Sequence, residues 1–331
     1  MGPQRKKGHN IRGVRSWFCH LCTTPWASMR VKVLITRIKG GLGNQLFCYA
    51  SARRLALVND AELVIDDVSG FTYDKIYKRS YALDAFNINA RKATPSERFF
   101  PFDKIRRAII QRLSKHRPLA KRRYIIQDSV KFDPELVGLR LQPGGTYFDG
   151  FGQSERYFAD VVEVIKDDLK IAPPTDEYNQ KMAEKIKSSE AVALHVRWFD
   201  SEDFKSHNNI SIEYYSKAIK KILNVTNQPH FFVFSDNADA TQDKLESIMA
   251  GLNKTYVNHN KSEAMAYADM WLMTLCNHFV IANSTFGWWA AWLGEARDKS
   301  QVIVPALEIM AEQNITAWGF EGLIPVRWTL L

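Results

Sequence analysis

Apolar and polar positions change period repeatedly along this chain. Residues 31–37 (VKVLITR) form a β-branched, largely apolar run; residues 44–58 carry apolar side chains at helical spacing; residues 62–66 (ELVID) return to a short apolar run. That succession predicts a strand–helix–strand unit at the start of the fold. The second half alternates more cleanly. Strand-like runs read AVALHV (191–196), HFFVFS (230–235), HFVIA (278–282) and QVIVP (301–305). Between them, helical periods run over 211–223, 238–250, 262–276 and 285–295. Ser211, followed by Glu213-Tyr214 and an apolar period, is a good helix start.

Near-continuous apolar strands separated by helices of this length predict α/β architecture, with parallel sheets covered on both faces. Residues 70–145 are less regular, and no internal repeat stands out. Ala172-Pro173-Pro174-Thr175 reads as a linker, because paired prolines interrupt helices and favour extended backbone. The expected organisation is two Rossmann-like lobes with a cleft between them: an amino-terminal lobe over 29–172 and a carboxy-terminal lobe over 173–331. At 331 residues the chain is long enough for both.

Charge changes the picture in two places. The net charge is +9, yet residues 1–30 supply six of these charges and contain no acid. A high pI therefore does not make the folded part a nucleic-acid binder. Residues 1–28 are expected to be a disordered basic extension, with Met29 just before the first strand; they lack the apolar core of a secretory signal. Residues 104–123 (KIRRAIIQRLSKHRPLAKRR) hold nine Lys or Arg and no acid, with Ile105, Ile109 and Leu113 at near-helical spacing. Two readings stand: a solvated basic helix, or a surface that rests on anionic lipid or meets an acceptor bearing a lipid diphosphate. Nucleic acid is disfavoured, because aromatic residues are not interleaved. No apolar run reaches the roughly 18 residues of a membrane span. The expected location is cytoplasmic, at most peripheral to the inner membrane surface. Cys19-His20-Leu21-Cys22 lacks a second pair at zinc spacing, and Cys48 and Cys276 lie in apolar segments that predict buried thiols.

Four polar clusters are candidates for one site. Gly40-Gly41-Leu42-Gly43 precedes a helix; such glycines permit positive φ and close approach of a ligand to backbone, and the helix start offers unpaired N–H groups. Its pattern lacks the third glycine of a dinucleotide fingerprint and the Lys-Ser/Thr of a P-loop. Asn44-Gln45 offers neutral groups suited to sugar oxygens. His195, Arg197 and Asp200 fall at the carboxyl end of a buried strand, where open parallel sheets bind ligands, and the Arg197 fork suits phosphate. Asp236 ends the next strand, either as acceptor for a guanine edge or ribose hydroxyls, or within a helix cap. Asn283, Ser284, Thr285 and Phe286 form another strand-to-helix junction, where hydroxyls and N–H groups favour an anion and Phe286 is placed to stack on a base. Trp288 and Trp289 read as core.

Together these segments resemble the α-1,2-fucosyltransferases of glycosyltransferase family 11. GGLGNQLFCYA (40–50), FDGFGQSERYF (148–158), HVRWFD (195–200), FFVFSDN (231–237) and IANSTFGWWAAWLGE (281–295) look like that family's blocks in the same order. The resemblance implies a GT-B-like fold with two Rossmann-like lobes and GDP-L-fucose as donor substrate, with no metal required. It further implies inverting transfer to the 2-hydroxyl of a terminal β-galactoside, in a glycan or lipid-linked oligosaccharide. Alternatives are another donor or linkage, or a non-catalytic GDP-sugar binder. The absence of any Asp-x-Asp agrees with a metal-independent site. The family pattern His-x-Arg-Arg-Gly/Thr-Asp is broken here by Trp198 and Phe199; Arg197, which the resemblance assigns to the β-phosphate, remains. Arg197, Asn44 and Asp200 are the expected catalytic residues, with Asp200 the first candidate base and Glu155 the second. Gly41, Gly43, His195, Arg197, Asp236, Asn283, Ser284, Thr285 and Phe286 are the expected donor-binding set.

Overall fold

A computed structural model describes residues 31–75, 77–127, 129–199, 208–296, 299–308 and 318–331. The 1–28 extension, the Cys19–Cys22 motif and Asp200 lie outside the described residues. The first sheet is built from β1 (Lys32–Arg37), β2 (Glu62–Asp66), β3 (Arg91–Lys92), β4 (Tyr124–Ile126) and β5 (Gly144–Asp149), ordered β3-β2-β1-β5-β4. Every pairing in it is parallel. Alternation along β1 sends Leu34 to one core and Val33 and Ile35 to another. Helix α1 (Leu42–Leu57) covers the first face and α2 (Asp103–Lys115) the second, through Ile110.

The second sheet comprises β6 (Glu190–Val196), β7 (Pro229–Ser235), β8 (Lys254–Val257), β9 (His278–Val280), β10 (Val302–Val304) and β11 (Thr329–Leu330). Its order is β11-β10-β9-β6-β7-β8, again with parallel pairings. The remaining helices are α3 (Pro134–Val137), α4 (Val162–Asp168), α5 (Glu177–Lys187), α6 (Ile212–Leu223), α7 (Ala238–Leu245), α8 (Ala266–Thr274) and α9 (Thr285–Gly294). Ser211 caps α6 by accepting a hydrogen bond from the Tyr214 N–H at 3.3 Å, as its sequence context predicts.

Differences from the sequence reading have local causes. Strand β8 is unforeseen because it is short and only Val257 in it is buried. The 262–276 period splits into a 3-10 turn at Glu263–Met265 and then α8. The irregular stretch 70–145 holds β3, α2, β4 and α3, elements of two to thirteen residues whose place depends on pairing with distant strands. No helix among the described residues is long and apolar enough to cross a membrane.

Helices α1 and α9 weld the two sheets' layers together. Phe47 meets Trp288 and Trp289 at ring-centroid distances of 4.6 and 4.9 Å, and Phe158 stacks on Trp289 at 5.6 Å. Both tryptophans are fully buried, as core. Each aromatic removed from water here contributes about 1.5–3 kcal/mol. The chain's last segment closes the same seam: Arg327 spans Glu155 and Glu295, and the Trp328 indole donates to Glu295 at 2.8 Å.

Candidate active site

The carboxyl ends of β6, β7 and β9 are brought level by parallel register: Val196 pairs with Ser235, and Leu194 with Val280. The residues that follow each strand therefore share one edge, facing the glycine loop after β1. Between them lies a cleft of about 950 Å³, lined by both halves of the chain.

At its floor two helices begin side by side. Gly40, at φ +78°, makes the turn out of β1, a left-handed conformation that favours glycine. Gly41 is the N-cap of α1 in extended backbone, and no side chain caps that helix. Positive φ is thus confined to Gly40 in this loop. Gly43 serves a different need: a Cβ there would lie 2.4 Å from the Thr285 carbonyl carbon and 2.6 Å from the Phe286 nitrogen. Contact of Gly43 with the first turn of α9, and of Phe47 with Trp288 and Trp289, makes the two helices run alongside one another in the same direction. Their positive dipole ends are consequently adjacent, an arrangement that repels itself and that an anion relieves.

Side chains complete this floor. The Asn44 Oδ1 accepts from Thr285 Oγ1 at 3.0 Å and from Gln153 Nε2 at 2.8 Å, leaving the amide Nδ2 as the group it can offer to a ligand. Gln45 does not offer its amide to the cleft. It is buried, donates to the carbonyls of Gly40 and Ser80, and accepts from the Ala82 N–H, so it pins the glycine loop to the 80–82 segment.

On the opposite wall, Arg197 pairs with Asp236 at 2.6 Å, and its guanidinium lies 5.6 Å from the Phe199 ring centre. Asp236 also accepts from the Trp198 N–H at 3.1 Å. The α7 cap is Asn237, not Asp236: its side chain accepts from the Ala240 N–H at 3.0 Å. Trp198 turns into the core and donates to Thr241 Oγ1 at 2.8 Å, so position 198 sends no side chain to the cleft. His195 is buried beside Phe286, its ring centre 5.6 Å away, and its Nδ1 has no hydrogen-bond partner among the described residues. Burial, and then the Arg197 charge, hold His195 down to about 3, so the imidazole is neutral near pH 7.

Gly41, Gly43, Asn44, His195, Arg197, Asp236, Ser284, Thr285 and Phe286 therefore meet at one cleft. Asn283, expected among them, is not in the cleft wall. It is buried, and its Nδ2 donates to the Asn208 carbonyl at 2.8 Å, tying the α9 junction to the segment before α6. Glu155 is also elsewhere: it accepts from Arg327 at 2.8 Å and from the Trp292 indole at 3.0 Å within the seam. A role as base does not fit that setting.

Six charged residues that sequence reasoning missed line the cleft: Asp74, Arg79, Asp239, Lys261, Glu263 and Asp269. Asp269 on α8 accepts from Asn260 Nδ2 at 2.8 Å, and burial pushes its carboxyl up to about 7. Asn260 is oriented in turn by Asn179, whose N–H is capped by Asp176. The signal was the polar run Asn258-His259-Asn260 after β8, hidden because β8 itself was not foreseen. Arg79 lies near Gly41 and pairs with Glu263 from the other side of the cleft at 2.9 Å. Its own N–H donates to Asp74, which also accepts from the Tyr77 N–H. Among the described residues, no group of three or more His, Cys, Asp or Glu side chains is placed to hold a metal ion.

Two parallel-sheet α/β lobes with a cleft between them make a GT-B-like architecture. The profile described as "Glycosyl transferase family 11" matches residues 31–318, and the chain belongs to that family. An α-1,2-colitosyltransferase from Escherichia coli is 28% identical over 269 residues, covering 80% of this chain and 88% of that protein. The O-antigen biosynthesis glycosyltransferase WbnK from Escherichia coli is 28% identical over 288 residues, covering 79% and 90%. Among solved structures, Arabidopsis thaliana FUT1, as a mutant in complex with GDP, superposes with a TM-score of 0.55 at 15% identity, covering 95% of this chain and 79% of that one. Fucosyltransferase NodZ from Bradyrhizobium superposes with a TM-score of 0.50 at 21% identity, covering 78% and 92%. A further NodZ structure, of the α-1,6-fucosyltransferase soaked with GDP-fucose, gives the same score.

Proposed function

We propose that this glycosyltransferase moves L-fucose from GDP-L-fucose to the 2-hydroxyl of a terminal β-galactoside, with inversion and without a required metal ion. The observation that carries the reading is the convergence on one cleft of two helix starts at its floor and Arg197 on the facing wall, positive groups that suit a leaving nucleoside diphosphate. In the displacement, the acceptor oxygen bonds to the sugar C1 as the C1–O bond to the β-phosphate breaks. GDP departs with the electron pair, and the hydroxyl proton passes to a base. Charge grows on the β-phosphate oxygen; Arg197, the N–H groups of α1 and α9, and Arg79 answer it. Asp236 fixes the direction of Arg197, and Asn44 presents its amide donors at the junction of sugar and acceptor. Asp269 accepts from the N–H edge of guanine, relieving a carboxyl that burial otherwise keeps near neutrality. Asp200, the next residue in the chain after Phe199, is the candidate base.

The name of the colitosyltransferase relative favours a second reading, in which the donor sugar is colitose, a fucose lacking the 3-hydroxyl. A donor panel of GDP-fucose, GDP-colitose and GDP-mannose against lactose and longer β-galactosides tests both. The expected product is an α-1,2-linked fucoside, with linkage read by NMR. Transfer from GDP-colitose alone, or to another hydroxyl, would replace the first reading.

A further inference from the structure

The basic segment after β3 presents a surface that the cleft does not use. Helix α2 turns Arg107, Ile110 and Ser114 toward the first sheet. Ile105, Ile109 and Leu113 recur every four residues on a different face; Ile105 is 58% exposed and Leu113 51%, with Ile109 half-buried between them. The loop leading into the helix adds Phe100 and Phe102, each 65% exposed. Their neighbour Phe99 is buried against Tyr147 and Tyr124, with ring centres 5.1 and 6.3 Å away. It anchors the loop while the two flanking aromatics project. Lys104, Arg112, Lys115, Arg117 and Lys121, in and just after the same helix, are exposed.

We propose that Phe100, Phe102, Ile105 and Leu113, together with these cations, form a docking surface for an anionic lipid bilayer. The chemistry is that of an interfacial helix: aromatic and aliphatic side chains enter the headgroup boundary while Lys and Arg engage lipid phosphates. Charge complementarity selects lipid over a second copy of the chain, since 104–123 carries nine cations and no acid and would repel itself across a symmetric interface. Nucleic acid is disfavoured because the exposed aromatics cluster at one end, off the basic helix, and not along it. The stripe lies on the α2 side of the first sheet, whereas α1 packs on the other.

The test is flotation of the full chain with phosphatidylcholine vesicles and with vesicles containing about one-third phosphatidylglycerol. Binding is expected to the anionic vesicles alone and to weaken in high salt, since each basic contact near the surface contributes about five-fold in partitioning. The triple variant Phe100→Ser, Phe102→Ser, Leu113→Ser should lose about ten-fold or more in partitioning, with an unchanged melting temperature and unchanged transfer to a soluble acceptor. Phe100→Trp adds a positive readout: its emission should shift blue on anionic vesicles and be quenched by brominated lipid. Equal flotation of wild type and triple variant, no flotation at all, or a concentration-dependent dimer that the triple variant abolishes would each overturn the proposal.

Discussion

Replacing Gly43 by alanine separates two physical accounts of the glycine loop by the sign of one number. Position 43 lies in the first turn of α1 with ordinary helical backbone, and helix propensity alone favours Ala over Gly by about 0.8–1.0 kcal/mol. The tertiary structure argues the opposite. The added Cβ would lie 2.4 Å from the Thr285 carbonyl carbon, 2.5 Å from its oxygen and 2.6 Å from the Phe286 nitrogen, all backbone atoms. Relaxed carbon contacts lie at about 3.5–4.0 Å, so α1 and α9 must part by about 1 Å. Overpacking of that kind costs about 1–3 kcal/mol, which outweighs the propensity gain at all but its lower edge. A displacement of about 1 Å between the two walls of a reacting site also costs about 10²-fold in turnover. Thermal unfolding and initial-rate kinetics measure both. Gly41→Ala is the stability control, because its Cβ would meet only the Arg79 guanidinium, at 3.8 Å. A Gly43→Ala enzyme that melts higher than wild type and turns over normally would refute the claim that helix contact across the seam sets the geometry of the site.

Three further outcomes follow from the same site. Arg197→Ala should lower turnover by about 10²–10³-fold, by analogy with loss of an oxyanion donor, with folding shown by an unchanged circular dichroism spectrum; near-normal turnover removes Arg197 from leaving-group stabilisation. GDP affinity should rise with pH until about 7 and level off above it, because burial holds the Asp269 carboxyl up to about 7 and guanine N–H groups bind its ionised form. Calorimetry on Asp269→Asn should then show weaker binding with that pH dependence gone; a retained slope assigns it to another group. Glu263→Gln releases Arg79 from a partly exposed ion pair and should tighten GDP binding by about two- to five-fold, whereas Arg79→Ala weakens it; a Glu263→Gln protein that binds GDP more weakly makes the pair a structural strut.

How far the chain could be read without coordinates follows from where each signal resides. Apolar runs long enough to cross a sheet, such as Ala191–Val196 and His230–Ser235, carry their period within a few residues, so the strands and the helices between them were legible. The strand-end clusters at 197, 236 and 284 were legible too, because parallel strands must all release their polar residues at one edge. The sequence could not tell which polar residue at such an edge turns outward. Asn283 and Gln45 spend their amides on backbone carbonyls, Asp236 orients Arg197 and leaves the α7 cap to Asn237, and Glu155 is consumed by Arg327. Arg79 and Asp269 enter the cleft through contacts with residues 184 and 9 positions away, respectively. Local pattern determined the elements and their order. Partner choice, burial and the adjacency of two helix starts were decided only by tertiary packing, because hydrogen-bond satisfaction and excluded volume are properties of neighbours in space and not of neighbours in the chain.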